Sequence, residues 1–205
     1  MKLLAATRSE GKQREIRRIL KPAGIEVVFP DDIGIFESPQ EDVLELGDSF
    51  QTNARAKAEY FSRKSGLPTF ADDSGLEVFS LGGEPGVRSR RWSGAEGSVE
   101  QVEAANNAML LRRLGGAGEA RRRARYRCVL VYLHDPGAIP QVIEGMCAGR
   151  ILETPRGSEG FGYDPLFLSD DLNKTFGEAT PTEKDAVSHR GRALQALASA
   201  LAKRT

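Results

Sequence analysis

An α/β fold is predicted for this chain of 205 residues, and three observations predict it. Short apolar runs with strand character alternate along the chain with longer segments whose apolar residues recur at helical spacing. Hydrophobic residues make up 40% and charged residues 28%, the balance of a folded domain, and no apolar run approaches the roughly 20 residues that a membrane-spanning helix needs. The 29 basic and 29 acidic residues cancel, which excludes a protein that coats nucleic acid through a basic surplus but leaves room for a locally built anion site.

The elements follow in order. Residues 3–6 read as a first strand; they are too few for a signal peptide, and charged Arg8, Glu10 and Lys12 follow at once. A polar loop over 8–11 leads into a helix with Ile16, Ile19 and Leu20 on one face, stopped before Pro22. Residues 26–29 read as a second strand, followed by a long acidic connection through Asp31, Asp32, Glu37, Glu41, Asp42 and Glu45. Asp48 or Ser49 caps a helix that carries Phe50, Ala54, Ala58 and Phe61 on one stripe and stops at Gly66 and Pro68. Strands over 69–71 and 76–81 flank an acidic turn, Asp72-Asp73-Ser74-Gly75. Ser98 and Gln101 form a capping-box pattern for a helix over 99–114. Residues 124–134 and 141–148 read as neighbouring antiparallel strands, glycines crowd 157–162, and Leu194, Leu197, Ala198 and Leu201 mark a last helix. With no repeat and no linker, the expectation is one α/β domain over 1–205, long enough for two lobes sharing a sheet. Cys128 and Cys147 lack metal or redox spacing and read as reduced core residues of a cytoplasmic protein.

Four segments carry chemistry, and each has a bland reading beside the functional one. Adjacent Asp72 and Asp73 at the end of an apolar strand are costly without a cation or donors. Because strand side chains alternate, only one of them reaches a given site directly. The other reading is a tight turn in which Asp caps and Gly75 takes positive φ. The loop Thr7-Arg8-Ser9-Glu10-Gly11-Lys12 between strand and helix offers backbone N–H groups, hydroxyls and charge to an anion, or is simply a solvated loop. Gly160-Phe161-Gly162-Tyr163-Asp164-Pro165 sets aromatics between glycines, where they can lie against a base, or forms a buried turn. In Lys184-Asp185-Ala186-Val187-Ser188-His189-Arg190, Ser188 caps the last helix and puts His189 and Arg190 in its first turn. Cations there oppose the helix dipole unless an anion offsets them.

Taken together and in this order, these segments and Leu81-Gly82-Gly83-Glu84-Pro85-Gly86 resemble signatures of the Ham1-like inosine triphosphate pyrophosphatase family, over essentially the whole chain. The resemblance implies an elongated mixed central sheet with flanking helices, two lobes around a substrate cleft, and a homodimer. It also implies Mg²⁺-dependent hydrolysis of ITP, dITP and XTP to the monophosphate and pyrophosphate. Carried over by position, Asp73 is the proton acceptor and a metal carboxylate, Glu45 completes the metal site with Glu41 as runner-up, and Ser74 touches substrate. The same carry-over puts Thr7, Arg8, Ser9, Glu10, Gly11, Lys12 and Lys57 on the phosphates. Phe161, Gly162, Tyr163, Asp164, Lys184, His189 and Arg190 then hold the base. The chain departs from the family at Thr7-Arg8-Ser9, where Thr-Gly-Asn or Thr-Asn-Asn is usual; a side chain at position 8 either narrows the backbone cradle or supplies charge of its own. A nucleotide sensor without turnover and a Maf-like pyrophosphatase acting on other nucleotides are the competing readings. No nucleic-acid or membrane partner is expected.

Overall fold

The computed structural model describes residues 2–203; positions 1, 204 and 205 of the expected 1–205 span lie outside the described residues. The elements are β1 (Lys2–Ala5), α1 (Glu10–Leu20), β2 (Glu26–Val28), α2 (Phe50–Ser65), β3 (Thr69–Val78), α3 (Val99–Arg113), β4 (Arg123–Leu133), β5 (Gln141–Ile151), β6 (Phe167–Ser169), α4 (Pro181–Val187) and α5 (His189–Ala202). Hydrogen bonding orders the strands β2-β1-β3-β4-β5-β6. β1 pairs in parallel with β2 and β3, and β5 pairs antiparallel with β6, so the sheet is mixed as expected. Among the described residues, no helix is long and apolar enough to cross a membrane.

Two compact units divide the chain. The first takes everything up to Asp73, Cys128–Gly145, and the chain from Arg190 onward. Its strands alternate between two cores, as a period of 2 requires. Leu3, Ala5, Phe70, Cys128, Leu130 and Tyr132 meet Ile16 and Leu20 of α1 and Ala193, Leu194 and Leu197 of α5. Leu4, Ala6, Ala71, Val131 and Leu133 meet Ala54, Ala58 and Phe61 of α2. One helix pair therefore covers one face and α2 covers the other. α2 starts where the Ser49 hydroxyl accepts the Thr52 N–H, and it ends at Gly66 with φ 67°.

The second unit takes Ser74–Arg127 and Met146–His189. Its core gathers Leu76 and Val78, Leu110 and Leu114 of α3, Ala124 and Tyr126, Cys147 and Ile151, and Tyr163, Phe167 and Phe176. The expected capping box on α3 is present in both directions. Arg122, from the basic run before β4, is buried and donates to the carbonyls of Leu114 and Ala117, closing the end of α3. Both cysteines are free and buried.

Three expectations change. The acidic turn is not a turn: β3 runs unbroken from Thr69 to Val78, and Gly75 stays in the strand. Burial on both faces supplies partners for the carboxylates that a turn would have left to water. The strand beginning at Gln141 continues to Ile151, where β6 pairs with it. Finally, α4 is an additional helix, with Pro181 in its first turn and a Thr180–Glu183 capping box; its seven residues are too short for periodicity to reveal.

Candidate active site

Strand alternation sorts the two aspartates. Asp72 shares its face with Phe70 and so meets α1 and α5; Asp73 shares its face with Ala71 and so meets α2. Asp72 is 3% exposed and its Oδ2 lies 3.0 Å from Lys12 Nζ and 3.2 Å from Arg190 Nη2. Arg190 also donates through Nη1 to Glu15 of α1, itself buried. Burial alone would raise the Asp72 carboxyl, but Lys12, Arg190 and Lys57 outweigh it and hold the group well below the usual carboxylate range. The dipole cost of a cation in the first turn of α5 is offset by these two carboxylates.

Asp73 is the contrasting neighbour. Burial raises its carboxyl above the ordinary value against the pull of Lys57, Lys12 and an Asn53 hydrogen bond, and the charge of Glu45 adds to the rise. Its Oδ2 accepts from Asn53 Nδ2 at 2.8 Å, and Asn53 Oδ1 in turn accepts the Gly47 N–H at 2.8 Å. A Cβ at Gly47 would stand 2.6 Å from that oxygen, so the glycine lets the loop approach. One turn on, at the i+4 position of the same face, Lys57 Nζ reaches Glu45 Oε1 at 2.6 Å and the Asp72 carbonyl at 2.8 Å. Burial would depress the Lys57 ammonium, but Glu45, Asp73 and Asp72 keep it raised, hence charged. Lys12 Nζ approaches the same Asp72 carbonyl at 3.4 Å. Two ammonium groups thus converge on one oxygen beside a carboxylate that holds its proton more tightly than usual.

The loop before α1 keeps its donors available. Ser9 occupies the N-cap position without a side-chain cap, so its hydroxyl does not consume a first-turn N–H. The Thr7 hydroxyl accepts the Ser9 N–H at 3.3 Å. Gly11 sits in the first turn, and exposed Glu10 points along the helix to Arg14 at 3.6 Å. The Arg8 guanidinium, expected on the phosphates, makes four hydrogen bonds within the chain, to Glu41, Asp31 and the Ile35 carbonyl. This also separates the two glutamates, because Glu41 is bound to Arg8 while Glu45 stands at Lys57. Ser74 follows Asp73 on β3, half-buried.

In the second unit, Gly160 and Gly162 take φ of 78° and 65°, and Asp164 Oδ2 folds back to accept the Phe161 N–H at 2.8 Å and the Lys184 ammonium. A Cβ on Gly160 would collide with that carboxylate oxygen. Gly160→Ala is therefore expected to cost about 1–3 kcal/mol of stability by urea unfolding, from its φ alone. Lys184 Nζ stands 4.7 Å from the Phe161 ring centre. His189 is stacked on Tyr126 at 4.6 Å and 8°.

Two residues expected at the base, Tyr163 and Arg190, make bonds within the chain. Tyr163 is buried in the core and its hydroxyl finds the partner a buried phenol needs, donating to the Ser89 carbonyl at 2.9 Å. The Arg190 guanidinium is held by Asp72 and Glu15.

Sequence reading passed over Glu15, Glu103 and Asn107, and took Asn53 only as the marker of the helix face that carries Lys57. On α3, Asn107 donates to the Gly162 carbonyl at 2.9 Å, and Glu103 accepts the Gly162 N–H, so both ends of that residue are held. Burial lifts the Glu103 carboxyl, with Gly162 opposing and Asp164 adding to the rise. The available signals were spacing and company: Asn53/Lys57 and Glu103/Asn107 are i,i+4 pairs, and Glu15 is a charge beside the apolar stripe of α1.

The model of the Ham1 family matches residues 3–200. The chain belongs to the Ham1 family. It is 44% identical over 203 residues to the dITP/XTP pyrophosphatase of Halorhodospira halophila, covering 98% of each. The dITP/XTP pyrophosphatase of Nocardia farcinica is 45% identical over 206 residues, covering 98% of this chain and 95% of its own. Among solved structures, a HAM1 protein from Coxiella burnetii superposes with a TM-score of 0.84 at 31% identity over 99% of both chains. The Ham1 fold thus accounts for the mixed sheet and its flanking helices.

Proposed function

We propose that this chain is a nucleoside-triphosphate pyrophosphatase that hydrolyses dITP, XTP and ITP to the monophosphate and pyrophosphate, removing non-standard purines from the nucleotide pool. It works in the cytoplasm as a homodimer, with both units forming one ITPase-like domain. One observation carries the chemistry: Lys12 and Lys57 converge on the Asp72 carbonyl beside Asp73, whose carboxylate burial makes more basic than usual. A pyrophosphate leaving group needs fixed positive charge, and the attacking water needs a base.

Asp73 orients and deprotonates that water while Asn53 holds its second oxygen in place. Lys12 and Lys57 stabilise the leaving pyrophosphate, and the first-turn N–H groups at Glu10–Lys12 cradle the remaining α-phosphate. Among the described residues no three His, Cys, Asp or Glu side chains form a ready-made cation cage. That suits Mg²⁺, which is commonly held by one or two carboxylates together with substrate phosphates. Asp73 and Glu45 are the oxygen donors that fit it, since the charge of Glu45 disfavours ionisation of Asp73 and a cation relieves that repulsion. When bound, the metal neutralises phosphate charge.

At the base, Phe161 is the stacking surface, with Gly162 and Asp164 shaping its loop, and His189, held flat on Tyr126, is assigned to the same base. Lys184 presents N–H donors beside the Phe161 ring, which suits the C6 carbonyl of hypoxanthine and xanthine. Adenine carries a donor at C6, which meets the Lys184 ammonium donor to donor and forfeits the hydrogen bond that the carbonyl gains. Incubation with dITP, XTP and dATP plus Mg²⁺, with phosphate read before and after added inorganic pyrophosphatase, is expected to give signal only after addition and only for the first two. Phosphate without the helper enzyme would exclude α–β cleavage, and equal turnover of dATP would exclude this base selection.

A further inference from the structure

The Arg8 side chain is half-buried and bound at several points. Nε donates to Glu41 Oε2 at 2.7 Å, Nη2 to Glu41 Oε1 at 2.8 Å and to the Ile35 carbonyl at 2.9 Å, and Nη1 to Asp31 at 2.6 Å. A single planar fork thus joins the end of β1 to three points on the acidic segment between β2 and α2. The Arg8 and Glu41 side chains are 19% and 13% exposed, so solvent screens this bidentate pair less than a surface ion pair. The guanidinium carbon also lies 5.9 Å from the Phe61 ring centre on α2.

The segment it holds is tied at its two ends, by Asp32 to Arg17 at 3.2 Å and by the Gly47 N–H to Asn53 at 2.8 Å, and Arg8 grips the stretch between them. Its only regular structure is two short 3₁₀ turns, Asp31–Ile33 and Pro39–Glu41. Phe36, Val43 and Leu46 are 76%, 63% and 67% exposed; Ile33, Ile35 and Leu44 are only partly buried against the α2 face. The Ser38 hydroxyl meets the Tyr60 hydroxyl at 2.9 Å. Glu45 lies four residues beyond Glu41 on this same segment, where it meets Lys57. A glutamate on a weakly packed segment needs an anchor to stay in register with a buried lysine.

We infer that Arg8 is a positioning residue: by tying Asp31, Ile35 and Glu41 to the end of β1 it holds Glu45 at Lys57, and it does not bind the triphosphate itself. Only the kinetic consequence rests on the proposed hydrolysis; the anchoring does not. Hydrogen exchange on the full chain tests the anchoring directly. In Arg8→Asn, residues 31–46 are expected to exchange at least about tenfold faster while α2 and β3 keep their protection, and Glu41→Gln is expected to act in the same direction.

With dITP as substrate, the Mg²⁺ concentration for half-maximal rate rises and kcat falls, together about 10–100-fold, the scale of lost supporting contacts at metal sites. KM for dITP changes less than about twofold, because uniform substrate binding is untouched. Arg8→Lys restores only part of the rate, having charge without the fork. In a Glu45→Gln background, Arg8→Asn adds no further loss, since both changes act through one group. Unchanged exchange over 31–46, a rise in KM with the Mg²⁺ dependence intact, or additive losses in the double variant would each overturn the inference. If the unaltered protein leaves dITP intact, the functional reading falls and the exchange experiment alone decides the role of Arg8.

Discussion

Asp73→Asn is expected to lower kcat for dITP by about 10²–10⁴-fold, the contribution of a positioned general base, with KM nearly unchanged. The amide still occupies the carboxylate's volume and can accept from Asn53, so the loss is one of basicity rather than of fit. Burial raises the Asp73 carboxyl, and with it the acidic limb of the rate profile, above the ordinary aspartate value of about 3.9. Activity therefore rises with pH through that limb, and Asn53→Ala, which removes a hydrogen bond to the ionised form, shifts the limb further up. The stability sign is opposite. A native carboxyl that binds its proton more tightly than the unfolded one favours the fold at low pH and costs stability once ionised. Asp73→Asn is accordingly expected to leave Tm at pH 7 unchanged or higher, which separates lost catalysis from lost structure. A kcat within tenfold of the parent would remove Asp73 from the role of base.

Arg190→Met is expected to be the most damaging of the substitutions considered, at about 3–5 kcal/mol, or roughly 6–20 °C in Tm. The guanidinium is 2% exposed and stands between buried Asp72 and Glu15. Methionine fills much of the space but leaves two carboxylates in the interior, with Lys12 and the more distant Lys57 as the remaining cations on Asp72. In the parent, the depressed Asp72 carboxyl contributes stability that is fully present above its unfolded value of about 3.9 and is lost as pH falls below it. In the variant burial opposes ionised Asp72 with its Arg190 partner gone, so that carboxyl moves up and the defect grows as pH rises. Urea unfolding at pH 4.5 and pH 7.5 reads this directly, and a variant equally destabilised at both would mean that lost packing, not charge, sets the cost.

These two residues also mark the boundary between sequence and structure. Local rules that act within a few residues were legible: the Ser49 and Ser98 caps, the Gly66 stop, and the strand alternation that sends Asp72 and Asp73 to opposite faces. The motif set located the carboxylate–lysine centre, because Asn53 and Lys57 must share one face of α2 and β3 must present one aspartate to it.

What the tertiary structure alone decided is which partner each charge takes. Arg190 stands 118 residues from Asp72 and 175 from Glu15, and nothing in its own turn of helix announces either. Arg8 reaches across 33 residues to Glu41, which is how the fold chooses Glu45 over Glu41 for Lys57. Tyr163 looked like a base platform from its glycine neighbours, yet its ring is drawn into the second core. Backbone propensity and period depend on neighbours in sequence and can be read from them. The pairing of buried charges depends on which groups the packed sheet and helices bring within about 3 Å, and desolvation then makes those pairings obligatory.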